Sequence, residues 1–211
     1  MTQIFLASTS PARRKILAQI GIEATIVSPE VDEKAETQRM AIARTAQNIS
    51  LHLAKLKAAS AVTESRRGLI LGADSVFEFD GEILGKPETA ASATKRWKAM
   101  RGKKGTLYSG LWLIDNTSSG KSTEAGALAH GVVQFSENIS NSDIEAYIST
   151  GEPLGVAGAF TLDCLGAPFI EHVEGDPWAI VGLSVFAFRE TVQKLGYDFK
   201  SLWSNRKMNE K

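Results

Sequence analysis

Between Val76 and Leu84 the chain reads Val-Phe-Glu-Phe-Asp-Gly-Glu-Ile-Leu. Asp80-Gly81 between two apolar-alternating stretches is a strong hairpin signal, because a tight two-residue turn needs φ > 0 and Asp-Gly tolerates it. This hairpin constrains the fold because strand and helix signals alternate around it. Ile4-Phe5-Leu6-Ala7 reads as a buried first strand. Ser10-Pro11 opens a helix, with Ser10 as cap and proline at the first helical position; Ile16, Leu17 and Ile20 form its apolar face, and Gly21 suits the position past its end. A second strand is expected at Ala24 to Ser28, and one long helix or two from about Met40 to Val62. Leu69-Ile70-Leu71 reads as a strand that ends in the turn-like Gly72-Ala73-Asp74-Ser75. Pro87 is read as the start of a helix ending near Gly102. Thr106 to Asp115 and Glu124 to Phe135 read as strands joined by a turn over Asn116 to Gly120. Ser142 and Glu145 have capping-box spacing for a helix to Thr150. Gly151 to Leu165 is a glycine-rich loop with room for a short strand; a strand at Phe169 to Val173 and a closing helix over Ser184 to Leu195 follow. Alternating elements interrupted by hairpins predict an α/β or α+β fold with a mixed sheet, not a purely parallel wrap.

The composition fits one folded domain over 1–211 with no separable linker: 43% of residues are apolar and 23% charged. Twenty-four Lys plus Arg balance twenty-four Asp plus Glu. Duplex-DNA binders usually carry a basic excess, so no nucleic-acid partner is expected, and any phosphate chemistry must rest on a few cations at one site. The single Cys164 excludes an internal disulfide and a multi-cysteine metal site, and fits a reducing compartment. No stretch approaches the roughly 18 apolar residues of a membrane span, and Met1 to Ala7 lacks the basic flank of a signal peptide. A cytoplasmic protein is the expectation.

Several short patterns carry chemistry. Ser8-Thr9-Ser10-Pro11-Ala12-Arg13-Arg14 joins a strand end, hydroxyls and a helix N-terminus, a setting that favours anions, with Arg13 or Arg14 as a two-point phosphate fork; the same pattern also describes a plain capped helix. Asp74 beside Gly72 is placed to bind a metal or accept a proton, or is a turn aspartate. Lys86, read at a helix entrance, opposes the helix dipole unless an anion lies nearby. Asp32-Glu33 in a polar loop offers carboxylates of the kind Mg²⁺ takes, as do many surface loops. His52, His130 and His172 lack metal-ligand spacing, and the four tryptophans read as core or interface. There is no GxxxxGK[ST] loop and no GxGxxG.

Taken in order, these segments resemble the Maf family of nucleoside triphosphate pyrophosphatases. The resemblance rests on Leu6 to Arg13, Val31-Asp32-Glu33, Leu53 to Ala58, Leu71 to Val76, Gly81 to Pro87, Glu152 to Phe160 and Gly175 to Leu183, and so spans residue 4 to about 190. It implies an elongated α/β fold like that of the ITP pyrophosphatases, a mixed sheet flanked by helices with two lobes around a central cleft. It implies hydrolysis of a (d)NTP to (d)NMP and pyrophosphate, with Mg²⁺ or Mn²⁺, and a homodimer. By position, Asp74 matches the proton acceptor, Glu33 and Asp74 the acids near the metal, Arg13, Lys57 and Lys86 the cations of the cleft, and Ser8 the hydroxyl at the first strand's end. Clearance of non-standard nucleotides is the implied role; the alternative is a non-catalytic nucleotide-binding regulator of cell division, the role that gave the family its name. The chain departs from the family pattern at Ala12, where many members have arginine, at Gly105, where histidine is frequent, and at Asp163, where the uridine- and thymidine-type subgroup has glutamine. Ser75 stands at a second selectivity position. An ionised carboxylate accepts hydrogen bonds and donates none, so Asp163 is expected to change which base edge is read.

Overall fold

The computed structural model describes residues 2–118 and 122–204. Its strands are β1 (Ile4–Ala7), β2 (Ala24–Val27), β3 (Leu69–Phe79), β4 (Glu82–Leu84), β5 (Lys104–Asp115), β6 (Thr123–Phe135) and β7 (Ile170–Gly175). The helices are α1 (Pro11–Gln19), α2 (Glu33–Arg39), α3 (Ala46–Ser60), α4 (Ala90–Met100), α5 (Asn141–Ser149), α6 (Pro177–Val181) and α7 (Val185–Lys194). The seven strands form one mixed sheet of order β2-β1-β3-β5-β6-β7, with β4 beside β3. β1 runs parallel to β2 and β3, and every other pairing is antiparallel. This is the mixed α/β arrangement expected from the hairpins.

β3, β5 and β6 are long enough to serve two cores. At one end, Leu69, Leu71, Leu111 and Leu113 pack with Ile16, Leu17, Phe188 and Val192 under α1 and α7. At the other, Phe77, Leu107 and Phe135 pack with Trp97, Tyr147 and Phe160. On the opposite face of the first end, Ile70 and Ile114 meet Ala58 and Ala61 at the end of α3. Side chains alternate along a strand, so Asp74 shares the α3 face with Ile70, and Ser75 shares the other face with Leu71. Both sit midway between the cores.

Two glycines let α3 lie directly on the sheet. A Cβ on Gly72 would stand 2.1 Å from the Ala54 carbonyl oxygen, and one on Gly110 would stand 2.5 Å from the Ser50 carbonyl. The sheet also has a gap. β5 covers one edge of β3 from Leu69 to Glu78. On the other edge β1 stops opposite Gly72 and β4 begins opposite Phe77. Residues 73–76 therefore have no strand on that edge among the described residues.

Several expectations are corrected. Asp74 is not at a strand end: β3 runs unbroken through Gly72-Ala73-Asp74-Ser75, because Gly72 serves close packing instead of a turn. Asp32 and Glu33 are not in a loop: Asp32 caps α2 by accepting from the Ala35 amide, and Glu33 is the first residue of the helix. Residues 40–45 are not helical, and α3 starts behind the Thr45 cap. Lys86 is not at a helix entrance, since α4 begins at Ala90 behind Thr89. The capping box is Ser140 with Asp143, two residues earlier than read, and the glycine-rich loop holds 3₁₀ turns and no strand. The Asn116 to Gly120 turn falls partly on residues 119–121, which lie outside the described residues, as does Met1.

Candidate active site

The gap in the sheet collects the charged residues. From the α3 face, the closeness allowed by Gly72 brings Lys57, in the last turn of α3, onto Asp74: Lys57 Nζ lies 2.5 Å from Asp74 Oδ1. The same ammonium lies 2.7 Å from Glu33 Oε1, supplied by the first turn of α2. Lys57 and Asp74 are both under 10% exposed, whereas Glu33 is 55% exposed, so only the first pair is screened from water. Burial pushes the Asp74 carboxyl upward, and the nearby charges of Lys57 and Arg13 only partly offset it. Asp74 Oδ2 has no hydrogen-bond partner among the described residues and is not sealed from solvent.

From the other face comes Arg13, buried at the first turn of α1. Its Nε donates to the Gly182 carbonyl (2.9 Å), Nη1 to Ser8 Oγ (3.0 Å) and Nη2 to Ser75 Oγ (3.0 Å). Three of its five N–H donors are thus engaged, one on each nitrogen, leaving one on each terminal nitrogen. Burial works against the guanidinium charge, and the fields of Asp74 and Glu33 work for it. Ser8 follows directly on the last residue of β1, where its hydroxyl also accepts from the Ser10 amide. Pro11 has no N–H and Ser10 Oγ takes the Arg13 amide, so the helix start is partly satisfied by itself. Ser8, Arg13, Glu33, Lys57, Asp74 and Ser75 therefore converge from β1, α1, α2, α3 and β3.

A sequence model described as Maf-like protein matches residues 3–195. The chain belongs to the Maf family. Its relatives include proteins called nucleoside triphosphate pyrophosphatase from Salinispora tropica (44% identical, 96% of this chain and 88% of that one), Leifsonia xyli (41%, 96% and 97%) and Corynebacterium jeikeium (44%, 95% and 99%). Among solved structures, a HAM1 protein from Coxiella burnetii is similar at a TM-score of 0.37 and 16% identity, over 66% of this chain and 76% of that one, a likeness too weak to carry an argument.

Two of the Maf-like positions stand apart from the cluster. Lys86 is exposed in the segment after β4 and has no ion pair among the described residues. β4 places Leu84 opposite Phe77, and its antiparallel direction sends the chain back along the open edge of β3 toward Ser75. Asp163 does not touch Asp74 or Arg13. Its Oδ2 accepts from Lys15 Nζ at 3.1 Å across a depression of about 300 Å³ whose walls include Gln19, Leu162, Trp178 and Val181. The segment carrying it is held by Glu152, whose carboxylate accepts from Tyr147 Oη, Thr161 Oγ1 and the Leu165 and Gly166 amides. Burial opposes ionisation of Glu152, but these donors prevail and hold its carboxyl below the usual range. Gly105 is explained by packing: a Cβ there would fall 2.2 Å from the Phe77 ring.

The sequence reading missed Gly182, Ser109 and α6. Asp176 caps α6 and also accepts from Ser184 Oγ, the cap of α7. An Asp-Pro pair before an apolar run was the available signal for α6.

Proposed function

We propose that this chain is a nucleoside triphosphate pyrophosphatase that hydrolyses (d)NTP to (d)NMP and pyrophosphate. The observation that carries the reading is the two-sided state of Asp74, in the stretch of β3 that lacks a strand on one edge: Oδ1 is fixed by Lys57, while Oδ2 has no hydrogen-bond partner among the described residues and is not sealed from solvent. Burial raises the proton affinity of Asp74, which suits a proton acceptor, while the charges of Lys57 and Arg13 work against that rise. Water attacks the α-phosphorus, its proton passes to Asp74 Oδ2, and the α–β bridging oxygen leaves with pyrophosphate. The two remaining Arg13 donors and Lys86 meet the phosphates, with the Ser8 and Ser75 hydroxyls fixing Arg13 beside them. Lys57 orients the base.

Glu33 and Asp74 are the residues that would hold Mg²⁺ or Mn²⁺. Such ions take one or two carboxylates and complete their shell with phosphate oxygens and water, which fits a two-carboxylate site; among the described residues no larger acidic or histidine cluster offers an alternative. When bound, the ion supplies positive charge against the polyphosphate. Asp163 reads the base at the neighbouring depression. The chain acts as one Maf-like domain whose two lobes are the two cores of the shared sheet, and a homodimer is its expected assembly. No helix among the described residues is long and apolar enough to cross a membrane. The exposed free Cys164 suits the cytoplasm.

The test is a screen of canonical and modified nucleoside triphosphates with Mg²⁺ or Mn²⁺, scored separately for pyrophosphate and orthophosphate. Pyrophosphate release supports the reading. Orthophosphate alone, or no turnover with any of them, refutes it.

A further inference from the structure

Behind Arg13 lies a chain of hydroxyls whose proton direction is fixed by its last member. The Ala179 carbonyl can only accept, so the 2.7 Å contact to it makes Ser109 Oγ the donor. Ser109 has then spent its proton, so in the 2.7 Å contact between Ser75 Oγ and Ser109 Oγ the donor is Ser75. Ser75 in turn presents lone pairs toward Arg13 Nη2, which can only donate. We infer that Ser109, a residue 2% exposed on β5, is a positioning residue that aims Arg13 at the phosphates by fixing the hydroxyl direction of Ser75.

The competing state is visible in the geometry. The Gly182 carbonyl lies 3.5 Å from Ser75 Oγ and already accepts from Arg13 Nε at 2.9 Å. Without Ser109, the Ser75 proton turns to that carbonyl and competes with Arg13 for it. Both carbonyls belong to one short segment: Ala179 lies within α6 and Gly182 follows its last residue. α6 therefore sets two of the contacts that hold the guanidinium, one directly and one through two hydroxyls.

This inference rests on the proposed pyrophosphatase reading, and its test separates the two. Calorimetry with inorganic pyrophosphate as the probe reads the anion site without turnover, and steady-state kinetics reads KM against kcat. Ser109→Ala is expected to weaken pyrophosphate binding and raise KM by about five- to tenfold, the effect of one lost hydrogen bond, with a smaller change in kcat. Ser109→Cys keeps a weak hydrogen-bonding group in similar volume and falls between; it also serves if the alanine variant does not fold. In an Arg13→Lys background, which lacks the fork, the same Ser109 substitution has no further effect. Wild-type-like binding by a folded Ser109 variant, an equal loss in the Arg13→Lys background, or failure of the wild type to bind pyrophosphate overturns the inference. If the wild type binds pyrophosphate but releases none from any triphosphate, the pyrophosphatase reading falls and the calorimetric comparison still decides the role of Ser109.

Discussion

Gly72→Ala tests the claim that close packing of α3 on the sheet builds the site. The new Cβ would lie 2.1 Å from the Ala54 carbonyl oxygen, 2.5 Å from the Ala58 amide nitrogen and 2.9 Å from Ala58 Cβ. The first two are backbone atoms inside a helix, so no side-chain rotation relieves them. Restoring a tolerable contact near 3 Å requires α3 to retreat by roughly 1 Å, an overpacking strain of about 1–3 kcal/mol. For a chain of this size that is a fall in Tm of about 2–12 °C. The same retreat stretches the 2.5 Å contact between Lys57 and Asp74 beyond charge-assisted hydrogen-bond range. A misplacement of about 1 Å in a catalytic group costs about 10²-fold in rate. Gly155→Ala is the control, because a Cβ there meets nothing within 4 Å and its φ is not positive. Thermal unfolding and pyrophosphate release from a nucleoside triphosphate read the two effects. If Gly72→Ala matches Gly155→Ala in Tm within about 1 °C and keeps its kcat, the close approach of α3 does not set the geometry of Lys57 and Asp74.

Asp74→Asn is expected to lower kcat by about 10²- to 10⁴-fold. It should also raise Tm at neutral pH: a carboxyl whose folded pKa is raised disfavours folding when ionised, so the gain fades as acid protonates Asp74 in the wild type; an unchanged or lowered Tm at pH 8 contradicts the burial argument. Glu152→Gln has the opposite sign. Its folded pKa is depressed, so the stability it contributes is present above the ordinary value of 4.5 and lost as pH falls through the folded value; the variant should lose about 1–3 kcal/mol at pH 7 and converge on the wild type in acid-titrated unfolding. Asp163→Gln should move the UTP-to-GTP ratio of kcat/KM toward UTP, because uracil presents two carbonyls that an ionised carboxylate repels and an amide can meet. An unchanged ratio, or a shift toward GTP, removes Asp163 from base reading.

Local signals in the sequence located most elements where local chemistry decides them. Ser10 caps α1, Ser184 caps α7, and the Asp80-Gly81 turn has φ of 55° and 78°, as a turn with two positive φ values requires. The misreadings share a cause: a residue type that serves more than one purpose. Gly72 carries a turn signal but admits a helix. Ser140 and Ser142 both have an acid three residues on, and local sequence does not choose between them. α2 buries no residue, so it has no apolar face for periodicity to find. The site followed the same rule. Arg13, Asp74 and Glu33 stand out from residue patterns and Lys57 from family resemblance alone, and the structure brings the four together. Ser109 and Gly182 were invisible because their roles depend on contacts 34 and 169 residues away in the chain.

That last separation bears on how the molecule comes into being. Chains emerge from the ribosome N-terminus first, and Arg13 is made early. β1 then waits for β3, which is more than sixty residues later, before it has its inner neighbour. Even then the guanidinium lacks its Nε acceptor until Gly182 has been synthesised and α6 has docked. The contacts that hold the guanidinium are thus completed by a segment 169 residues after Arg13. A polypeptide that stops short of Gly182 has Arg13, Asp74 and Lys57 but not the carbonyl that orients the arginine, so the guanidinium of such a chain keeps an Nε donor with nothing to hold it.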